Sequence, residues 1–150
     1  MSLRILPAAA AAFLGIGLAS AAAAADLTIA IDGLRSDKGE IKLCVFSAEV
    51  SNRAAFPDCF TGRPVKQGSA IIRGGKAIVT YSGLKPGIYA VASIHDENGD
   101  GKLGTNLVGI PTEGIGVSNN PTLFGKPEFA KSAFEIAGNT RIAITAKYFF

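Results

Sequence analysis

The residues best suited to chemistry lie in one stretch, Asp96-Glu-Asn98-Gly-Asp100-Gly101-Lys102-Leu103. Oxygen donors at its first, third and fifth positions, with glycine at the sixth, are what the first half of a calcium loop requires. Alternate side chains turn toward one centre, Gly101 takes the sharp bend, and the Lys102 carbonyl supplies a further oxygen. The twelfth position is Leu107, where an EF-hand has a bidentate glutamate, and a strand precedes the loop instead of a helix. Bound Ca2+ would therefore need another ligand, with Glu113 or the Asn106 side chain the nearest candidates. The same residues have a plainer use. Asx side chains hydrogen-bond their own backbone and glycine accepts positive φ, so the stretch also reads as an unliganded turn.

His95 precedes this loop and is the only histidine, which excludes a multi-histidine zinc site within one chain. It reads as a hydrogen-bonded structural histidine. The enzymatic alternative is a small hydrolase using His95 with Asp96 or Glu113 and a serine such as Ser118. Adjacent His95 and Asp96 on a strand point to opposite faces, which argues against a local dyad. The chain has no G-x-S-x-G, no H-E-x-x-H and no glycine-rich phosphate loop, so no catalytic residue is assigned.

The elements that must position these residues are strands. Leu27–Ile31 alternates apolar and polar; Ile41, Leu43 and Val45 alternate with Glu40, Lys42 and Cys44. Ser69–Arg73 is a short β-branched run that turns at Gly74-Gly75 into Ala77–Tyr81. Leu84-Lys-Pro-Gly87 turns into Ile88–Ile94; Ser132–Ile136 and Arg141–Tyr148 complete the set. Only Ala48–Phe56 offers a short helical turn. Seven short strands with Gly/Pro punctuation predict an all-β, antiparallel sandwich, immunoglobulin-like or prealbumin-like. With no tryptophan anywhere, antibody-type features are not expected. The 36 residues from Asp96 to Lys131 lack periodicity and read as one long irregular loop, a length that usually marks function, disorder or a missed element.

Met1–Arg4, the uncharged apolar run Ile5–Leu18 and the small residues Ala21–Ala25 follow the grammar of a secretory signal peptide cleaved near Ala25. The run is shorter than the about 20 residues that span a bilayer, and no second one follows, so no transmembrane segment is expected after cleavage. Residues 26–150 then form a single periplasmic or secreted domain, enough chain for one core. Of fifteen basic residues one, Arg4, lies in the leader, which leaves fourteen against twelve acidic ones. They are scattered, so nucleic acid is not an expected partner. Export also favours a Cys44–Cys59 disulfide over two buried thiols. Cys44 falls on the more polar face of its strand, so the bridge would tie the 47–68 loop across an outer surface instead of joining the sheets.

Ile94-His-Asp-Glu-Asn-Gly-Asp-Gly-Lys-Leu103, Gly109-Ile-Pro-Thr-Glu-Gly114, Gly116-Val-Ser-Asn-Asn-Pro121 and Phe124-Gly-Lys-Pro127 together resemble a bacterial family of exported proteins, domain of unknown function 2141. Val117 stands where that family commonly has Phe. The resemblance spans the mature chain and implies a secreted β-sandwich without an established activity. Its motif positions, His95, Asp96, Asn98, Glu113, Ser118, Asn119 and Asn120, fall in or beside the long loop. They form either a working surface or one structural clasp. The expected function is a non-enzymatic binding or accessory module of the cell envelope, contacting a protein or envelope polymer. An outer-membrane element is the remaining alternative, suggested by the terminal Tyr148-Phe-Phe150 and opposed by strands shorter than a bilayer-spanning strand needs.

Overall fold

The computed structural model describes residues 23–150. The leader expected over residues 1–25 lies outside these, apart from its last three residues. Eight strands run in chain order: β1 (Ala25–Asp32), β2 (Glu40–Ser47), β3 (Lys66–Ala70), β4 (Ala77–Leu84), β5 (Gly87–Asp96), β6 (Gly114–Val117), β7 (Phe134–Ile136) and β8 (Thr140–Thr145). A 3-10 turn, Arg53–Ala55, falls where a helical turn was expected, and a four-residue helix α1, Phe129–Ser132, precedes β7.

The strands form a sandwich. The smaller sheet has the order β4-β1-β8, the larger β3-β2-β5-β6, with β7 also pairing β5. Alternation decides the inner faces. Leu27, Ile29 and Ile31 of β1, with Ile144 of β8, meet Ile41, Leu43 and Val45 of β2 and Tyr89 and Val91 of β5 in one buried core. Period-2 patterning places such residues on one side of each strand, where burial against the opposite sheet stabilises both.

Four details differ from the sequence reading. The count is eight strands, because Gly114-Ile-Gly-Val117 forms β6 inside the segment taken for loop. Its two glycines hide the pattern, yet they are what fits: a Cβ on Gly114 would lie 2.6 Å from the Tyr148 ring and one on Gly116 2.5 Å from Ile144. The sheet is not wholly antiparallel, since β1 and β8 pair in parallel from Leu27↔Thr140 to Asp32↔Thr145. β3 lies earlier than Ser69–Arg73, at Lys66–Ala70. Arg73 and Lys76 still exchange backbone hydrogen bonds around Gly74-Gly75, the expected two-residue turn.

The fourth difference concerns Cys44. The Cys44–Cys59 bridge is present and ties the loop between β2 and β3, residues 48–65, over the outside of the larger sheet. Lys42 and Ser69 do lie on that outer face, but from Cys44 onward it is apolar: Cys44, Phe46, Ala90, Ala92 and Val117 pack with Phe56 and Phe129 in a second buried cluster. Phe56 meets Phe46 and Phe129 edge-to-face, at centroid separations of 5.1 and 5.9 Å, a geometry favoured by the ring quadrupoles. The sequence signal was the unbroken apolar run in β5, which marks a strand covered on both faces.

Candidate functional site

Asp96 ends β5 with its side chain fully buried. Its Oδ1 accepts hydrogen bonds from the peptide N–H groups of Gly99 (2.9 Å) and Asp100 (3.2 Å), and its Oδ2 from that of Gly101 (2.9 Å). Glu113, also buried, accepts from the N–H of Glu97 (3.0 Å) and of Gly104 (2.9 Å) and so closes the base of the loop. A buried carboxylate is costly unless it is hydrogen-bonded, and here backbone donors supply those bonds. Asn98 and Asp100 are exposed and bonded to each other, with the Asn98 amide donating to Asp100 Oδ2 at 3.1 Å, while Asp100 Oδ1 accepts from the Lys102 N–H at 2.8 Å. Asn106 Oδ1 accepts from the N–H groups of Val108 and Ile110 at the loop tip. Asp96, Asn98, Asp100, Lys102 and Glu113 therefore share one loop, but among the described residues no three side chains of His, Cys, Asp or Glu are gathered as metal ligands.

His95 is buried between two partners: Nε2 lies 2.8 Å from the Lys38 carbonyl and Nδ1 2.6 Å from the Tyr148 hydroxyl. A carbonyl oxygen only accepts, so a neutral ring carries its proton on Nε2 and Nδ1 accepts from Tyr148. The Tyr148 oxygen in turn accepts the Arg35 peptide N–H at 3.2 Å. The Arg35 guanidinium stacks 4.6 Å from the Tyr148 ring centroid and forks onto the Glu97 carboxylate. Those hydrogen bonds from Arg35, aided by Ser36, hold the Glu97 carboxyl below its usual range, and burial pushes the Tyr148 phenol up. Both ring nitrogens of His95 are thus engaged. Ser118 lies four positions along the β5–β6 ladder from Gly114, the residue opposite His95, which is roughly 13 Å at the usual strand rise. The structure does not bring the hydrolase candidates together.

The larger opening lies elsewhere, on the outer face of the larger sheet. Its floor follows from register: Lys42 pairs with Ser69 on one side and Ile94 on the other, and Ile94 with Ile115. All four point away from the core, because Leu43 and the alternate residues point into it. The Gly101–Leu103 and Gly109–Pro111 arms of the loop, Pro57–Phe60 beside the disulfide, Gly125–Pro127 and Phe149 form its walls. The groove has a volume of about 1280 Å³. Phe60 is 80% exposed, Phe149 42% and Ile110 39% on its rim. Sequence reasoning missed this surface, because its residues come from nine separate segments.

A family model described as "Uncharacterized protein conserved in bacteria (DUF2141)" matches residues 29–144. The chain belongs to this family. No curated protein and no solved structure matches it.

In this DUF2141 chain the remaining motif residues also bond inward. The buried Ser118 hydroxyl accepts the Val91 N–H at 2.9 Å and donates to the Ser132 carbonyl. Asn119 and Asn120 adopt φ values of 66° and 48°, left-handed geometry that asparagine tolerates better than most residues. The Asn119 amide donates to the Ala133 carbonyl at 2.6 Å, and Asn120 exchanges bonds with the Ala143 carbonyl and the Thr145 N–H. Each motif position named from sequence makes hydrogen bonds within the chain. These bonds are compatible with a clasp, one of the two expectations.

Proposed function

We propose that this DUF2141 chain is a non-enzymatic binding module of the cell envelope that takes a ligand with an apolar portion in the outer groove. The Asp96 and His95 clusters act as the scaffold that holds its wall. One observation carries the reading: the floor of Ile94 and Ile115 and the rim of Phe60, Ile110 and Phe149 remain open on a sheet face whose other end the chain covers. Concave, mainly apolar clefts with a few polar groups are where small ligands bind. The neutral dye N-phenyl-1-naphthylamine tests it. Saturable, one-to-one fluorescence enhancement, lost in Ser69→Trp with the melting temperature kept, supports the reading. No enhancement rejects the groove as a ligand site.

A calcium-ordered loop is the second reading, favoured by the exposure of Asn98 and Asp100 beside Asp96. It requires these two side chains to exchange their mutual hydrogen bond for a shared cation, with the Lys102 carbonyl and Glu113 completing the shell. Calorimetric titration of the chelator-treated protein tests it. Saturable heat abolished by Asp100→Ala supports the ion, and no heat at millimolar calcium removes it.

A further inference from the structure

We propose that the occupant of the groove is a long-chain carboxylate, a single acyl chain with one anionic head group. The inference rests on the groove being the binding surface, and it adds the chemistry of what is bound. Charge gives the first argument. Lys42, Lys102 and Lys126 line the groove, against one carboxylate, Asp58. Asp58 turns into its own loop, accepting from the Phe60 N–H at 2.8 Å and from the Thr61 hydroxyl. Lys42 is paired with Glu40, and the Lys126 ammonium donates to the Ala54 carbonyl at 3.3 Å. Lys102 makes no ion pair among the described residues. Asp58 is close enough to Lys126 to interact with its charge, so an anion at this mouth gains its attraction chiefly from Lys102, with three lysines against one carboxylate in the lining.

The floor gives the second argument. Its exposed surface is a sheet face and not a sheet edge, so the backbone N–H and C=O groups of β2 and β5 are already paired with neighbouring strands. A peptide laid there would leave its own backbone groups without partners, at a cost that an acyl chain does not incur. At about 1280 Å³ the groove also exceeds the roughly 300–1,000 Å³ typical of compact ligand pockets. It suits an extended ligand that runs along the Ile94–Ile115 row with its head at Lys102.

The test uses protein expressed from the full sequence, purified and stripped of lipid, with the neutral dye as reporter. Carboxylates of eight to sixteen carbons are added below their micelle concentrations, beside the alcohol and the ammonium of equal length. The expected result is displacement that tightens with chain length, by up to about fourfold for each methylene fully buried. The carboxylate should bind up to about fivefold tighter than the alcohol at low salt, as an ion pair at a rim allows. Lys102→Glu with Lys126→Glu should erase that preference while the dye still binds. Ser69→Trp, or Gln67→Trp should the first not fold, should abolish binding of both. Equal or tighter binding of the alcohol or the ammonium overturns the anionic head. Dye binding that no amphiphile displaces overturns the acyl chain and leaves the binding module standing. Failure of the dye itself overturns the reading on which this one rests.

Discussion

At one end of the larger sheet's outer face, Phe46 and Ala90 lie beneath Phe56 and Phe129. Four residues along the same strands, Lys42 and Ile94 lie beneath an open groove. Both stretches belong to β2 and β5, and both carry apolar residues on the outward side. What differs is the connection above them. Over the covered end the 48–62 loop folds down, anchored by Cys59 and filled by Phe56, and α1 adds Phe129. Over the open end the 97–113 loop meets its polar needs internally, through Asp96, Asn106 and Glu113. It stands as a wall and has no aromatic plug to bury. Hydrophobic composition alone does not decide whether a face becomes core; the hydrogen bonding of the covering loop also does.

The strongest way to break this comparison is to empty the covered end. Phe56→Ala removes a side chain that is 2% exposed and should lower the unfolding free energy by about 3–5 kcal/mol. Denaturant titration reads it directly. A loss under about 1 kcal/mol would mean that the aromatic cluster is a surface decoration and that the two ends are alike.

Next in size is the tether. Replacing Cys44 and Cys59 together by alanine frees a loop with a sequence separation of 15, worth roughly 3 kcal/mol in the chain-entropy account. Because Pro57–Phe60 also walls the groove, dye affinity should fall in the same variant. Unchanged affinity would show that the covered end does not support the open one.

The loop on the open end is tested by a pair. Asp96→Asn turns an amide toward peptide N–H donors that now meet carboxylate oxygen, and should cost about 1–3 kcal/mol, the penalty for unsatisfied buried groups. Asp100→Asn, on an exposed residue, should stay within about 0.5 kcal/mol. Equal losses for the two, seen only with calcium present, would transfer the ordering role from Asp96 to an ion.

The sandwich was legible because Leu27–Ile31, Ile41–Val45 and Arg141–Ile144 alternate with period 2, and that period survives any tertiary context. The Asp96 loop was legible as a special site but not as to kind, since calcium loops and Asx turns use the same residues for the same geometric reason. β6 was illegible, because Gly114 and Gly116 are chosen for the side chains of Tyr148 and Ile144 that lie over them, contacts about thirty residues distant in sequence. The groove was illegible for a related reason. Lys42, Ile94, Ile115 and Phe149 become neighbours through register alone, and Ile94 reads in sequence like any core residue.

A smaller effect concerns pH. Hydrogen bonding from Arg35 and Ser36 lowers the Glu97 pKa in the folded state. Its contribution is therefore present above the unfolded value, near 4.3, and is lost as pH falls through the lower folded value. The Arg35 side chain is 40% exposed, so solvent screening limits the pair to about 0.5–1 kcal/mol. Subtracting the stability curve of Glu97→Gln from that of the parent should leave a difference at pH 7 that disappears once the pH has fallen below the lowered folded value. A difference that persists at low pH would show that the side chain contributes by packing and not by charge.

One further small effect carries the comparison furthest. Ile115→Ala lies on the open floor, where the isoleucine is only partly buried, so truncation exchanges one half-solvated surface for another. Its cost should stay below about 1 kcal/mol, well under that of Phe56→Ala on the same sheet face. Dye affinity, by contrast, should fall, because the lost methylenes are those the ligand would cover. A stability loss as large as that of Phe56 would mean that the walls close over Ile115 in solution and make the groove a second core. A small loss with unchanged dye affinity would place the ligand off this floor. Only the combination of near-native stability and weakened binding fits a face that the fold leaves open for a partner.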